Sequence, residues 1–237
     1  MQTDRTRDPG KRLLAAAQYV RAGAVFADIG TDHAVLPILL CREGRVKKAY
    51  ACDVAEAPLE AARRNIARAG LGELAVPLLC DGFSGLDGLG VTDAAVCGMG
   101  GELTARLIAA APFLVRDRVR LILQPMTRAR FLRSFLLSSG FSIEEEELVS
   151  DAGRQYELIV ASYTGKREEW SEAELWLGKR NILRGGGELR RLALRRVSHL
   201  ENLLGGQTPG EKGKTEETIR RIRELAGLTE RKKYDGS

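Results

Sequence analysis

Three aspartates recur at one kind of place, the end of an apolar run just before a turn. Asp28 closes VFADIG (25–30), Asp53 closes KKAYACDV (47–54), and Asp81 closes AVPLLCDG (75–82). Such runs read as buried parallel strands meeting their loops. Acids at the carboxyl ends of three successive strands would line one crevice, which is where open α/β sheets bind ligands. The chemistry this favours is the holding of a nucleoside. An acid about 20 residues after a glycine loop accepts hydrogen bonds from ribose hydroxyls, and Asp53 follows Gly30 by 23 residues. Gly30 would let a ligand approach the backbone where any Cβ would intrude. The helix expected after it would offer its N-terminus to an anionic group. The loop is not G-x-G-x-x-G, which argues against a dinucleotide. Taken singly, each acid reads equally well as a helix cap or turn residue. Taken together with Val54, Gly82 and Gly98, they form the expected cofactor set: Asp28, Gly30, Asp53, Val54, Asp81, Gly82 and Gly98.

Two further groups lie beside this set. Asp32 and His33 directly follow the Gly30 loop and are the candidate catalytic residues, although His33 also suits a positioning or helix-capping role. The other histidine, His199, falls on a charged helix and reads as an exposed surface residue. GMGG (98–101) follows a fourth apolar run, DAAVC. Its small residues would leave room for a bulky base, and its bare N–H groups could donate to that base. The same four residues also read as a tight strand-to-helix turn.

The elements that must position these groups alternate. Helical spacing over 11–22 precedes the first strand, with Gly23 as its expected C-cap. Helices are predicted over 34–44, 58–71, 101–114 and 126–141, between strands ending near residues 30, 54, 82, 97 and 125. Pro58 is placed at the first helical position and Gly70 at the close. Two antiparallel strands, 142–165, turn around Asp151–Gly153. Strand–helix alternation of about 30 residues per pair predicts an α/β doubly wound sheet.

After Gly165 the pattern changes to long charged helices. A domain boundary is expected there, with residues 1–165 forming the cofactor-binding domain and 166–237 a basic helical hairpin, coiled-coil-like. Ser171 and Glu174 form a capping-box pattern. Leu189, Leu192, Leu200 and Leu203 share a stripe. GGQTPGEKGK (205–214) is the predicted break before a second helix from about Glu216 to Arg231, with Ile219, Ile222 and Leu225 on one face. Gly185–Gly187 is expected to kink or break the first helix. Residues 1–165 carry 20 Lys+Arg and 20 Asp+Glu, whereas residues 166–237 carry 17 and 12. The net +5 of the chain therefore sits in its last third, which suggests a polyanion partner. Equally, it reads as a solvated helical surface. No run approaches the roughly 20 apolar residues of a membrane span, and the first ten residues lack a secretory h-region. A cytoplasmic chain is expected. The four cysteines, Cys41, Cys52, Cys80 and Cys97, form no C-x-x-C pair, so no metal is expected.

DIGTDHAVLP (28–37), GMGG (98–101) and LILQP (121–125) followed by FLRSFLLSSGF together resemble the bacterial TrmK family. The resemblance runs over nearly all of residues 11–230 and implies a Rossmann-like class I methyltransferase domain carrying a C-terminal α-helical hairpin. It implies S-adenosyl-L-methionine as cofactor and methylation of adenine N1 at position 22 of tRNA. The helix after Gly30 would then face the methionine carboxylate, Asp53 the ribose and Asp81 the adenine amino group. Gly100, Gly101 and Gln124 would contact substrate. Arg190, Arg191, Arg195, Arg196, Arg220, Arg221 and Arg223 would contact tRNA phosphates. Asp32, adjacent to the pocket yet outside the cofactor acids, would stabilise the cation that forms on the base. Where many members of the family have Asn after Gln-Pro, this chain has Met126. A monomer is expected rather than a dimer, with the leucine stripe closing within the chain. The competing readings are a class I methyltransferase acting on another RNA or a protein, and an RNA-binding scaffold without chemistry.

Overall fold

The computed structural model of the chain describes residues 9–228. They divide into two compact units, the first up to Glu169 and the second from Trp170. In the first unit, α1 (Gly10–Gln18) precedes β1 (Ala24–Ile29), α2 (Val35–Arg42), β2 (Val46–Asp53), α3 (Glu56–Arg68), β3 (Ala75–Leu79) and β4 (Asp93–Cys97). Then come α4 (Gly101–Ala109), α5 (Phe113–Arg116), β5 (Arg120–Gln124), α6 (Ala129–Ser138), β6 (Phe141–Asp151) and β7 (Arg154–Tyr163).

The seven strands form one sheet in the order β3-β2-β1-β4-β5-β7-β6. β1 to β5 are parallel, and β7 enters antiparallel between β5 and β6. Chain order reverses between β1 and β4, so the crevice above their carboxyl ends is the topological switch point. Burial explains the near-continuous apolar strands. Phe26, Ala27 and Ile29 of β1 and Ala94 to Val96 of β4 are sealed between helix layers, with Leu36, Ile38 and Leu40 of α2 above β1 and β2.

Several boundaries differ from those predicted, each for a local reason. α1 ends at Gln18, and Gly23 belongs to the turn into β1, its N–H donating to the Arg45 carbonyl oxygen. Pro58 takes the third helical position of α3, where its missing N–H is still harmless. The helix predicted over 101–114 is two, because Pro112 cannot continue α4 and instead opens α5. α6 starts at Ala129, three residues late, because Met126 to Arg128 are tied to the GMGG loop. There the Met126 N–H donates to the Met99 carbonyl oxygen at 2.8 Å, and Arg128 adopts a left-handed φ of 58°.

One buried cluster has no counterpart in the sequence pattern. Arg133 of α6 is fully enclosed, and its guanidinium donates to Glu146 of β6 at 2.6 Å and to Glu157 of β7 at 2.8 Å. Desolvation works against that charge, but the two carboxylates outweigh it and push the guanidinium above its ordinary range. The cluster fastens the antiparallel strands to α6.

Among the described residues the second unit holds four α-helices where two were predicted: α7 (Glu172–Leu177), α8 (Lys179–Arg184), α9 (Gly186–Leu203) and α10 (Pro209–Leu225). The capping box forms as expected, the Glu174 N–H donating to Ser171 Oγ. The glycine run does break the helix, at Gly185 with φ 65°. The break between α9 and α10 is shorter than expected. Thr208 and Glu211 make a second capping box, and Pro209 sits in the first turn, so 209–214 is already helical. Leu189, Leu192, Leu200, Ile219 and Ile222 are buried, whereas Leu203, placed on the same stripe, is exposed. The end of the second predicted helix, residues 229–231, lies outside the described residues.

Candidate functional site

Asp28 stands at the carboxyl end of β1, buried, with Thr31 donating its hydroxyl hydrogen to Asp28 Oδ2 at 2.7 Å. Burial pushes its carboxyl up to about 6. The Thr31 bond opposes this, while the nearby Asp32 charge adds to it. The chain then leaves the strand through an unusual loop. Gly30 has φ 72°, a conformation that residues with side chains rarely adopt, and the space where its Cβ would lie is held by the Met99 methyl group. The N–H groups of Gly30 and Thr31 both donate to the Cys52 carbonyl oxygen at 2.9 and 2.8 Å. His33 and Ala34 follow at φ 62° and 56°, two consecutive left-handed residues with side chains. Strain of this kind, of order 1–3 kcal/mol per residue, persists where surrounding contacts impose it. Here Asn65 of α3 donates to the His33 carbonyl oxygen at 3.0 Å. The result turns Asp32 outward, its side chain 61% exposed, with His33 Nε2 3.1 Å from its Oδ1.

Asp53 ends β2, and its Oδ1 accepts from the Ala55 N–H at 2.8 Å. Beside it Val54 is 69% exposed. Asp81 departs from expectation, because β3 stops at Leu79 and Asp81 sits exposed in the turn that follows. Its N–H donates to Ser84 Oγ at 3.0 Å, and the chain reverses at Gly82, φ 58°. Gly98 (φ 97°) has open space where a Cβ would be.

The GMGG loop is not a row of bare donors. The Gly98 N–H donates to the Gln124 carbonyl oxygen and the Gly101 N–H to that of Thr127. A Cβ on Gly101 would lie 2.6 Å from the Arg128 carbonyl oxygen, and Gly100 bridges to Thr127. Gly100 and Gly101 therefore join the β4 and β5 loops through close backbone approach. Gln124 is buried, its Oε1 accepting from Arg12 Nη1 at 3.1 Å and its Nε2 facing the Met126 sulfur at 3.5 Å.

Three site residues carry no signal in the sequence: Arg12, Asp151 and Tyr156. Asp151 stands at the β6–β7 turn and accepts the Arg12 backbone N–H at 3.2 Å, capping an α1 whose own first residues offer no side-chain cap. Arg12 lies 5.8 Å from the Tyr156 ring centroid. These three, with Asp28, Gly30 and Asp32, line a cavity of 390 Å³. A larger open groove of 720 Å³ lies in the helical unit, where both lining arginines are ion-paired, Arg220 with Glu224 and Arg223 with Glu201. It contains none of the strand-end acids, whereas the smaller cavity is lined by Asp28.

Of the arginines expected on phosphate, Arg195 is exposed, and Arg196 stands over the Trp176 ring at 5.4 Å. Arg220 also pairs with Glu217, and Arg221 with Glu224. Exposed pairs of this kind are worth at most about 1 kcal/mol and exchange readily for another anion. No helix among the described residues is long and apolar enough to cross a membrane.

Residues 10–159, which carry β1 to β6, part of β7 and the acids Asp28, Asp53 and Asp81, match the methyltransferase domain family. The chain belongs to that family. The methyltransferase is also similar to a Bacillus subtilis (strain 168) protein named tRNA (adenine(22)-N(1))-methyltransferase, at 34% identity over 152 residues. That match covers 64% of this chain and 63% of the relative, just under two thirds of its length. Solved structures agree over more of the chain. A Streptococcus pneumoniae protein described as a candidate tRNA (m1A22) methyltransferase, solved in complex with S-adenosyl-L-methionine, superposes with a TM-score of 0.81 at 31% identity. The match covers 91% of this methyltransferase and 98% of that chain. The Bacillus subtilis m1A22 tRNA methyltransferase TrmK superposes with a TM-score of 0.80 at 25% identity, over 93% and 98% of the two chains.

Proposed function

We propose that this methyltransferase transfers the methyl group of S-adenosyl-L-methionine to N1 of adenine 22 in tRNA. The observation that carries the reading is the cradle at the switch point. The buried Asp28 at the Gly30 turn, Asp53 beside the exposed Val54, and the open space at Gly98 suit an adenosyl cofactor. Asp28 and the Gly30 loop would hold the methionine end, Asp53 the ribose hydroxyls, and Val54, Asp81 and Gly82 the adenine. Once bound, the cofactor supplies a methyl group on a cationic sulfur. The relatives' names supply the acceptor.

Neutral adenine N1 has an in-plane lone pair and needs no prior deprotonation. It forms the new N–C bond as the C–S bond breaks, the electron pair staying on sulfur, and the positive charge passes to the base. The protein's task is therefore orientation and charge stabilisation. Asp32 suits the second part, being exposed at the cavity rim and steadied by the strained loop and His33. The Asp32→Asn variant is expected to turn over roughly 100-fold more slowly with near-normal cofactor affinity. Full turnover by that variant, measured with saturating S-adenosyl-L-methionine, would remove Asp32 from the chemistry.

N1 lies on the Watson–Crick edge, so the base must leave its stack, at a cost of a few kcal/mol. Backbone contacts from the basic helical unit, residues 166–237, including Arg195, Arg196 and Arg220, would offset that cost. The chain would then work in the cytoplasm, where tRNA is modified, and as a monomer. The test is methyl transfer from labelled S-adenosyl-L-methionine to unmodified tRNA, followed by nucleoside mass spectrometry. The expected product is 1-methyladenosine. Another methylated nucleoside, or label on protein only, would replace the acceptor while keeping the cofactor.

A further inference from the structure

We infer that the end of the 390 Å³ cavity bounded by Arg12, Asp151 and Tyr156 receives the base that is methylated, its other end at Asp28 and Gly30 being left to the methionine part of the cofactor, with the Tyr156 ring as the surface the base stacks on. The inference rests on the reading of the chain as an adenine-N1 methyltransferase and goes beyond it by naming where the base goes.

Position comes first. Asp53, Val54 and Asp81 follow β2 and β3, on one side of β1 in the sheet order. Gln124 and Tyr156 belong to β5 and β7, on the other side. Asp28 and Gly30 end β1 between them and line the cavity. A nucleoside held by Asp53, with its sulfur end at Asp28, would have its reactive end toward the cavity. Its volume falls within the range of small-ligand pockets.

The walls suit a purine. A base taken out of its stack loses the faces of its neighbours, and an aromatic ring restores one of them. Tyr156 is half-buried and already placed by groups that need no ligand. Asp151 fastens the start of α1, Gln124 holds the Arg12 side chain, and the Arg12 guanidinium stands 5.8 Å from the Tyr156 ring centroid. Such preorganisation lowers the cost of ordering on binding. The charge balance fits the product as well. Beyond Asp28, which is left to the cofactor, two acids line the cavity, Asp32 and Asp151, against the single guanidinium of Arg12 among its described lining residues. A base that becomes cationic on methylation is favoured there over one that stays neutral.

The experiment compares the full-length chain with Tyr156→Ala, Tyr156→Leu and Tyr156→Phe. Melting temperature, S-adenosyl-L-methionine affinity by calorimetry, and kcat/KM on unmodified tRNA are measured for each. The Ala and Leu variants are expected to lose roughly 10- to 100-fold in kcat/KM, the factor that one base–aromatic stack supplies. The Phe variant should retain most of it, and cofactor affinity should stay within about twofold throughout. If the Ala variant fails to fold, the contrast between Leu and Phe decides. Leu matching Phe on tRNA overturns the base pocket while the proposed reaction stands. A parallel loss of cofactor affinity assigns the ring to the cofactor and also overturns it. A wild-type chain that binds the cofactor but leaves tRNA unmethylated overturns both.

Discussion

Replacing Arg133 by Met is expected to cost the methyltransferase unit about 3–5 kcal/mol of unfolding free energy, read from urea denaturation. The reason lies in what remains. Arg133 is fully enclosed between α6 and the β6–β7 pair, and so is Glu146, with Glu157 nearly so. Met fills a similar volume, so packing changes little. The loss comes from leaving two carboxylates of one sign in a water-free layer without their cation. A triple variant separates this from cavity effects. Arg133→Met combined with Glu146→Leu and Glu157→Leu removes the stranded charges and should recover at least half of the loss, since apolar replacement of a buried triad is often neutral or better. If the triple variant is no more stable than the single one, packing rather than charge is the cause. The consequence for function is spatial. The triad fastens the strands that carry Asp151 and Tyr156, so the single variant should also lose methyl transfer above its lowered melting temperature.

The triad also marks the limit of what the amino-acid order makes legible. Asp28, Gly30 and Asp53 are readable because they obey short-range rules: an apolar run, an acid, a glycine, and a spacing of 23 residues. Asp81 obeys the same rule less well. The positive φ of Gly82 turns the chain early, and the acid falls beyond the strand. Arg133 sits in a helix whose pattern allows an exposed arginine, and Glu146 lies in the acidic run 144–147, which reads as solvated. Only the antiparallel entry of β7 makes them neighbours, and residue spacing carries no record of that. Arg12 and Tyr156 escape notice for the same reason, being 144 positions apart and joined only through the sheet order. The helical unit fails differently. Its predicted break rests on the turn-rich stretch 205–214, but Pro209 at the first helical position and a Thr208–Glu211 capping box start a helix there. The same residue types that end one element open the next.

Asp28→Asn is expected to make the cofactor-free protein more stable at pH 7.5 and at the same time a poorer enzyme. Asp28 is buried and its carboxyl is pushed up to about 6, against about 3.9 in an unfolded chain. A folded-state value above the unfolded one means that the folded protein holds the proton more tightly. The stabilising effect of that proton is complete below pH 4 and is lost as pH rises through 6, leaving a buried charge above that. The difference corresponds to about 2–3 kcal/mol. Asn carries no charge to strand, and its side-chain oxygen can still accept from the Thr31 hydroxyl. The variant should therefore exceed the wild type by about 1–3 kcal/mol near neutral pH, with the gap closing toward pH 4 in denaturation curves run across that range. Cofactor affinity should move the other way, weakening roughly 10- to 100-fold as a bound cation loses its buried counter-charge. In the wild type, that affinity should fall as pH drops through 6, and in the variant it should be flat. A variant with unchanged stability would mean that water or a cation already compensates Asp28 in the free protein. One with unchanged affinity would take Asp28 out of the cofactor site. The combination of higher stability with weaker binding is the signature of a charge kept buried for its ligand rather than for the fold.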